Sequence, residues 1–192
     1  MKRFFGSMWS LFIVTGLIVA LDQWTKWLVR VHIPFAQQWM PAELEWLTPY
    51  ARLVHWHNSG AAFGMFQGGS TVFTVLAFVV IALIIYYYSR VGAEDWMTRL
   101  ALGMQMGGAA GNLISRLTLD GQVTDFISVG TFPVFNIADS TITIGVGVLL
   151  LGVWLGERRP QRDGKDRQGD DNEQEALHEQ STQEAQPTER HE

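Results

Sequence analysis

The chain has no cysteine among its 192 residues. That excludes disulfides, thiolate metal sites and a cysteine nucleophile. It leaves the compartment open, because a chain without thiols is compatible with an oxidising one. There is no HExxH zinc-protease motif and no internal repeat. Charge is missing from Thr71 to Tyr88 altogether. A net charge of −5 and a mean hydropathy of +0.07 resemble those of an ordinary soluble protein. That resemblance ends once the chain is divided. From Met1 to Gly156 eight acids balance eight bases, and the other eleven acids and six bases all follow Gly156. What precedes the tail is a neutral, strongly apolar body, which reads as an integral membrane protein with a polar appendage.

Four apolar segments make up that body: about Trp9 to Leu28, Thr71 to Tyr88, Leu100 to Ile114 and Ile137 to Leu155. A spanning helix needs ~20 residues at a rise of about 1.5 Å. The second and fourth segments qualify alone. The first and third qualify only if their polar ends face protein or water. Lys2 and Arg3, the run from Trp9 to Leu21 and Ile18-Val19-Ala20 also have the outline of a cleavable signal peptide. Three further apolar segments, and a helical pattern that continues past the site, argue against cleavage.

The bases set an orientation. Lys2, Arg3, Arg90, Arg99, Arg158, Arg159, Arg162, Lys165 and Arg167 fall on one side; Lys26, Arg30, Arg52 and Arg116 fall on the other. The positive-inside rule then places both termini in the cytoplasm. It leaves the segment from Val31 to Gly69 and the loop from Leu117 to Phe135 outside. Pro34, Pro41 and Pro49 break the longer outer segment. Arg52 to Phe66 reads as extended, with Leu53, His55 and His57 on one side and Val54 and Trp56 on the other. Gly60, Gly64, Gly68 and Gly69 suggest turns. A small strand-containing cap over about residues 31–69 is expected on top of the bundle. The tail, residues 157–192, is too polar to offset its ordering entropy and is expected to be disordered in the cytoplasm.

Three acids, Asp22, Asp125 and Asp139, fall at the outer edge of the apolar segments. An Asp at the centre of a spanning helix costs roughly 2.5–3.5 kcal/mol on insertion scales, so such groups serve chemistry, transport or an ion pair. Asp22, Thr25 and Lys26 share a helix face, and Asp22 to Lys26 has the favourable acid-first i, i+4 order of an ion pair. A structural role is the first reading of that pair, with support of a nearby site the second. Gly103, Gly107 and Gly111 form a helix-packing stripe, which makes the third segment the central helix. Asn112 and Arg116 follow on one face. Arg116 reads equally well as a grip on lipid phosphate and as a substrate or field-setting group. Asn136, Asp139 and Thr143 lie on one face of the last helix. Two carboxylates sharing a site cannot both ionise. The ionised one accepts a proton from water while the neutral one donates to the carbonyl under attack, so amides can be hydrolysed without a metal. His55 and His57 have strand HxH spacing, which a metal could use, but no third ligand is evident and packing is the expected role.

Together these pieces resemble the lipoprotein signal peptidases (signal peptidase II), aspartyl proteases of the bacterial inner membrane. Five ordered motifs carry the resemblance: Asp22-Gln23-Trp24-Thr25-Lys26, Asn58-Ser59-Gly60-Ala61-Ala62-Phe63-Gly64, Gly107-Gly108-Ala109-Ala110-Gly111-Asn112, Val123-Thr124-Asp125-Phe126 and Phe135-Asn136-Ile137-Ala138-Asp139. The resemblance implies an all-α membrane protein with four spanning helices, a small extracytoplasmic β-cradle and a short outer helix, within residues 1–156. It implies Asp125 and Asp139 as the catalytic pair, and Asn58, Gly60, Asn112, Arg116 and Asn136 as substrate-binding or supporting residues. It gives Asp22 and Lys26 a structural role. No metal and no cofactor are implied. The implied substrate is a prolipoprotein whose lipobox Cys already carries diacylglycerol, cut just before that Cys. The implied setting is a multi-pass monomer among membrane lipids, with no nucleic-acid partner and its active site on the periplasmic side. Family members usually carry an acid directly before the Arg of the third span. Ser115 stands there instead, which leaves Arg116 to pair with Asp120 or with phosphate.

Two rival readings remain at this level. A cation-coupled transporter would place acids at several depths, whereas none falls in mid-segment in the last three spans. A non-catalytic lipid-binding protein would pair Arg116 and Lys26 with phosphate and with the acids.

Overall fold

The computed structural model describes residues 8–59 and 69–157. One compact unit comprises Met1–Val153; the other, Trp154–Glu192, is described only as far as Glu157. The expected disordered tail beyond Glu157, and Gly60, Gly64 and Gly68 of the outer segment, lie outside the described residues.

Among the described residues four helices carry the body: α1 (Met8–His32), α2 (Ser70–Tyr88), α3 (Trp96–Thr118) and α4 (Ile137–Glu157). Met8–His32, Ser70–Tyr88 and Ile137–Leu155 are long and apolar enough to cross a membrane. Their outward apolar side chains, such as Val72, Val75, Leu76 and Phe78 on α2, are uncovered by protein, as a lipid-facing surface must be. α3 falls short of the same standard of apolarity, and the reason is its position. It is the most enclosed helix, with thirteen buried residues from Thr98 to Ser115. It meets protein where the others meet lipid, so Gly, Ala and Asn replace large apolar side chains.

The glycine stripe makes that enclosure possible. A Cβ on Gly103 would lie 2.9 Å from Val14, one on Gly107 would lie 2.8 Å from Ile18, and one on Gly111 would lie 2.6 Å from the Asp22 carboxylate. Residue numbers rise together on both helices, so α1 and α3 run parallel with backbones in close approach. On another face, Gly108 abuts Ala138, Thr141 and Ile142 of α4, and Gly145 of α4 abuts Ala101. α4 therefore runs antiparallel to α3. At the far end Leu11, Ile84, Tyr88, Leu102 and Met106 close the core. There the Ser10 and Tyr88 hydroxyls share a 2.6 Å hydrogen bond.

The outer cap contains a three-stranded antiparallel sheet in the order β1 (Gln38–Trp39), β2 (Ala51–Asn58), β3 (Val123–Val129). A short 3-10 helix, Ala42–Leu47, joins the first two strands. The described strand ends at Asn58, and residues 60–66 of the run expected to be extended lie outside the described residues. One correction follows: the stretch after α3, expected as a loop, supplies the third strand. The turn that launches it is a helix C-cap: the Gly121 N–H bonds to the Arg116 carbonyl (2.8 Å), with Asp120 and Gly121 both at positive φ. The β2–β3 register shifts between Leu53 and Trp56. This bulge interrupts the simple alternation expected along β2. Val29, Ile33 and Phe126 are buried together, with Leu53, Ile127 and Ile137 packed against them. That cluster fixes the sheet to the upper ends of α1 and α4.

Candidate active site

The beginning of α4 sets the geometry. A helix start leaves its first N–H groups without intrahelical acceptors. Asn136 is the N-cap. Its Oδ1 accepts the Asp139 N–H (3.1 Å), and the Asp139 carboxylate accepts the Asn136 N–H in return (3.2 Å). This is a capping box with Asp in the place usually held by Glu or Gln. The intervening Ala138 N–H donates across the bundle to Asp22 Oδ1 (3.0 Å). Two carboxylates thus sit at the positive end of one helix.

Asp125 arrives from β3. It is 3 % exposed. Its Oδ1 accepts from Asn136 Nδ2 (2.7 Å) and its Oδ2 from Asn58 Nδ2 (3.1 Å). Asn136 is fully buried, and its one side chain touches both acids. Burial, and then the charge of Asp139, push the Asp125 carboxyl from 3.8 up to about 6, against the opposing hydrogen bonds from Asn58 and Asn136.

Asn112 of α3 joins the acids to a buried ion pair. Its Nδ2 donates to Asp139 Oδ1 (2.8 Å). Its Oδ1 accepts from Lys26 Nζ (2.9 Å) and Asn136 Nδ2 (3.2 Å). Lys26 Nζ also donates to Asp22 Oδ2 (2.8 Å), and both residues are fully buried. Removing one partner of such a pair typically costs about 3–5 kcal/mol, because it strands the other charge.

Both Asp125 and Asp139 line a cavity of about 620 Å³, together with Asn58, Asn112, Arg116 and Phe73. Arg116 Nε is buried without a hydrogen-bond partner, and its guanidinium lies 5.5 Å from the Phe73 ring centroid. Of the two partners expected for Arg116, Asp120 or phosphate, Asp120 forms no ion pair with it. Ser115, where an acid was expected, donates back to the Gly111 carbonyl.

The sequence-derived residues that the structure describes therefore converge, with two differences; Gly60 lies outside the described residues. Thr25, placed on the Asp22–Lys26 face, bonds to the Leu21 and Asp22 carbonyls instead. Gln23 was given no role, yet it donates to both Asp22 Oδ2 and the Gly111 carbonyl at 2.9 Å. It sits beside Asp22 in sequence, about 100° round the helix, so a shared-face argument could not find it. His55 and His57 stand apart from the acids. His55 bonds to the Ile33 carbonyl (2.7 Å) and to His57 (3.3 Å), beside the Phe35 ring. No cluster of three or more metal-ligating side chains occurs among the described residues.

The family model described as Signal peptidase (SPase) II matches residues 14–155. A lipoprotein signal peptidase of Shouchella clausii is 41% identical over 152 residues, covering 79% of this chain and 97% of that protein. One from Symbiobacterium thermophilum is 39% identical over 145 residues, covering 73% and 91%. A solved structure described as a bacterial membrane enzyme superposes with a TM-score of 0.72 at 24% identity, covering 81% of this chain and 94% of that one, and supports the fold. With the family model spanning the helices, the sheet and both cavity acids, the chain belongs to the signal peptidase II family and is an aspartic peptidase of that type.

Proposed function

We propose that the chain removes signal peptides from diacylglyceryl-modified prolipoproteins by hydrolysing the peptide bond just before the lipidated Cys, with Asp125 and Asp139 as the catalytic pair. One observation carries the reading: both carboxylates line a single cavity and share the amide of Asn136. In the reactive form the pair holds one proton between them. The ionised member accepts a proton from a water as its oxygen attacks the scissile carbonyl. The neutral member donates to the carbonyl oxygen. Collapse of the tetrahedral intermediate returns that proton and delivers the other to the leaving amine as the C–N bond breaks. Asn58, Asn112 and Asn136 hold the acids, and Arg116 faces the substrate.

The layout suits such a substrate. Acyl chains on the Cys hold the scissile bond near the outer membrane surface, and the cavity lies where β3 and the start of α4 meet. In this reading α3 completes four crossings of the inner membrane, both termini are cytoplasmic, the cap is periplasmic, and the protein works as a monomer among lipids. The transporter and lipid-binding readings have no comparable support, since the cavity brings the acids to one place rather than along a path.

The test is cleavage of a diacylglyceryl-modified prolipoprotein by purified protein in detergent. Asp139→Asn and Asp125→Asn should each fold and lose activity by a factor of about 10⁴ or more, as for loss of a member of a catalytic unit. Normal processing by either variant rules out the dyad.

A further inference from the structure

We propose that Lys26 is a positioning residue for catalysis, which sets the Asn112 amide so that its NH2 group, and not its carbonyl, faces Asp139. The inference rests on the dyad reading above. It goes beyond the structural role that the motif comparison assigns to Lys26.

An ammonium can only donate, whereas a primary amide has one accepting end and one donating end. Lys26 Nζ lies 2.9 Å from Asn112, so the amide must offer its oxygen there. The NH2 end is then directed at Asp139 Oδ1, 2.8 Å away. Lys26 is itself held on its other side by Asp22, and Asp22 is held by Gln23 and the Ala138 N–H. None of these groups lines the cavity, whereas Asn112 does. The chain of contacts therefore runs from a closed pocket between α1 and α3 to one face of a reacting carboxylate.

Asn136 Nδ2 also donates to Asn112 Oδ1, but at 3.2 Å and while serving Asp125 at 2.7 Å. The charged donor is the stronger of the two. Without it, the flipped amide would set a carbonyl oxygen against the Asp139 carboxylate. Lys26 also exerts a through-space field on Asp139 and Asp125. A direct field and an effect through Asn112 make different predictions when Asn112 is removed.

The experiment is a double-mutant cycle on the full-length protein with lipid-modified substrate, using Lys26→Met, Asn112→Ala and both together. Lys26→Met should lower kcat about ten- to hundredfold, the range for a lost hydrogen bond to a charged group. KM should stay within about twofold, because a group acting on the transition state leaves ground-state binding alone. In the Asn112→Ala background the same substitution should cost less than about threefold more, because coupled residues are non-additive. An unchanged kcat, a change confined to KM, or full additivity overturns the inference. Should Lys26→Met not give folded protein, Asp22→Asn with Lys26→Met removes both charges and takes its place in the cycle. Asp139→Asn is run alongside. Activity in that variant defeats the dyad itself, whereas an inactive Asp139→Asn beside an unimpaired Lys26→Met defeats only the role of Lys26.

Discussion

Replacing Asp125 by Asn should make the protein inactive and raise its stability relative to the parent as pH rises from about 4 to about 6. The carboxyl is 3 % exposed and stands at about 6 instead of 3.8, chiefly because burial opposes its ionised form and secondly because Asp139 is near. Ionising it in the folded chain therefore costs about 3 kcal/mol more than in the unfolded chain. The folded pKa is the higher one, so this contribution leaves stability intact below the unfolded value and erodes it as pH rises through the folded value. The window runs from about pH 4 to about pH 6. Asn does not titrate. Whatever constant offset the amide introduces, stability of Asp125→Asn minus that of the parent should grow by about 3 kcal/mol across that window, or about 6–12 °C in Tm for a chain of this size. The assay is a thermal melt in detergent, with both proteins at matched pH between about 4 and 7.5. His57 moves stability the other way, since burial and then His55 lower its pKa, but it is present in both proteins and cancels. A flat difference, or one that shrinks as pH rises, refutes the claim that Asp125 is held against ionisation.

Two further predictions concern packing and capping. Gly107→Ala puts a Cβ 2.8 Å from the Ile18 Cβ, which cannot swing aside, so it should lower stability by about 1–2 kcal/mol even after the gain in helix propensity. Gly16→Ala, with nothing within 4 Å, should not destabilise, and equal melts for the two variants would discredit the close α1–α3 approach. Asn136→Ala should cost roughly 2–4 kcal/mol and activity together, through the lost cap on the Asp139 N–H and the lost donor to Asp125. Asn136→Ser can still cap but cannot reach Asp125, so it should recover about 1 kcal/mol and no activity. Active Asn136→Ser protein would show that the shared amide is dispensable.

Much of the site was legible from local rules. Helical spacing linked Asp22 to Lys26 and Asn136 to Asp139, and both pairs do bond. The spacing of Gly103, Gly107 and Gly111 announced the crowded helix. These are relations within one turn or one face, where backbone geometry alone brings the side chains together. Gln23 escaped because its partners lie on another helix.

The sequence by itself determined the apolar segments, the neutral body, the polar tail and the identity of every acid in the site, because burial in lipid and helical periodicity act on nearest neighbours along the chain. Only the tertiary structure decided that residues 123–129 form a strand, and that its pairing with β2 sets Asp125 opposite Trp56. Only it brought Asp22 to the Ala138 N–H, 116 residues away, and set one amide between two carboxylates. Strand register and cross-bundle hydrogen bonds depend on what other segments present at the same depth, and no periodicity along a single chain encodes that.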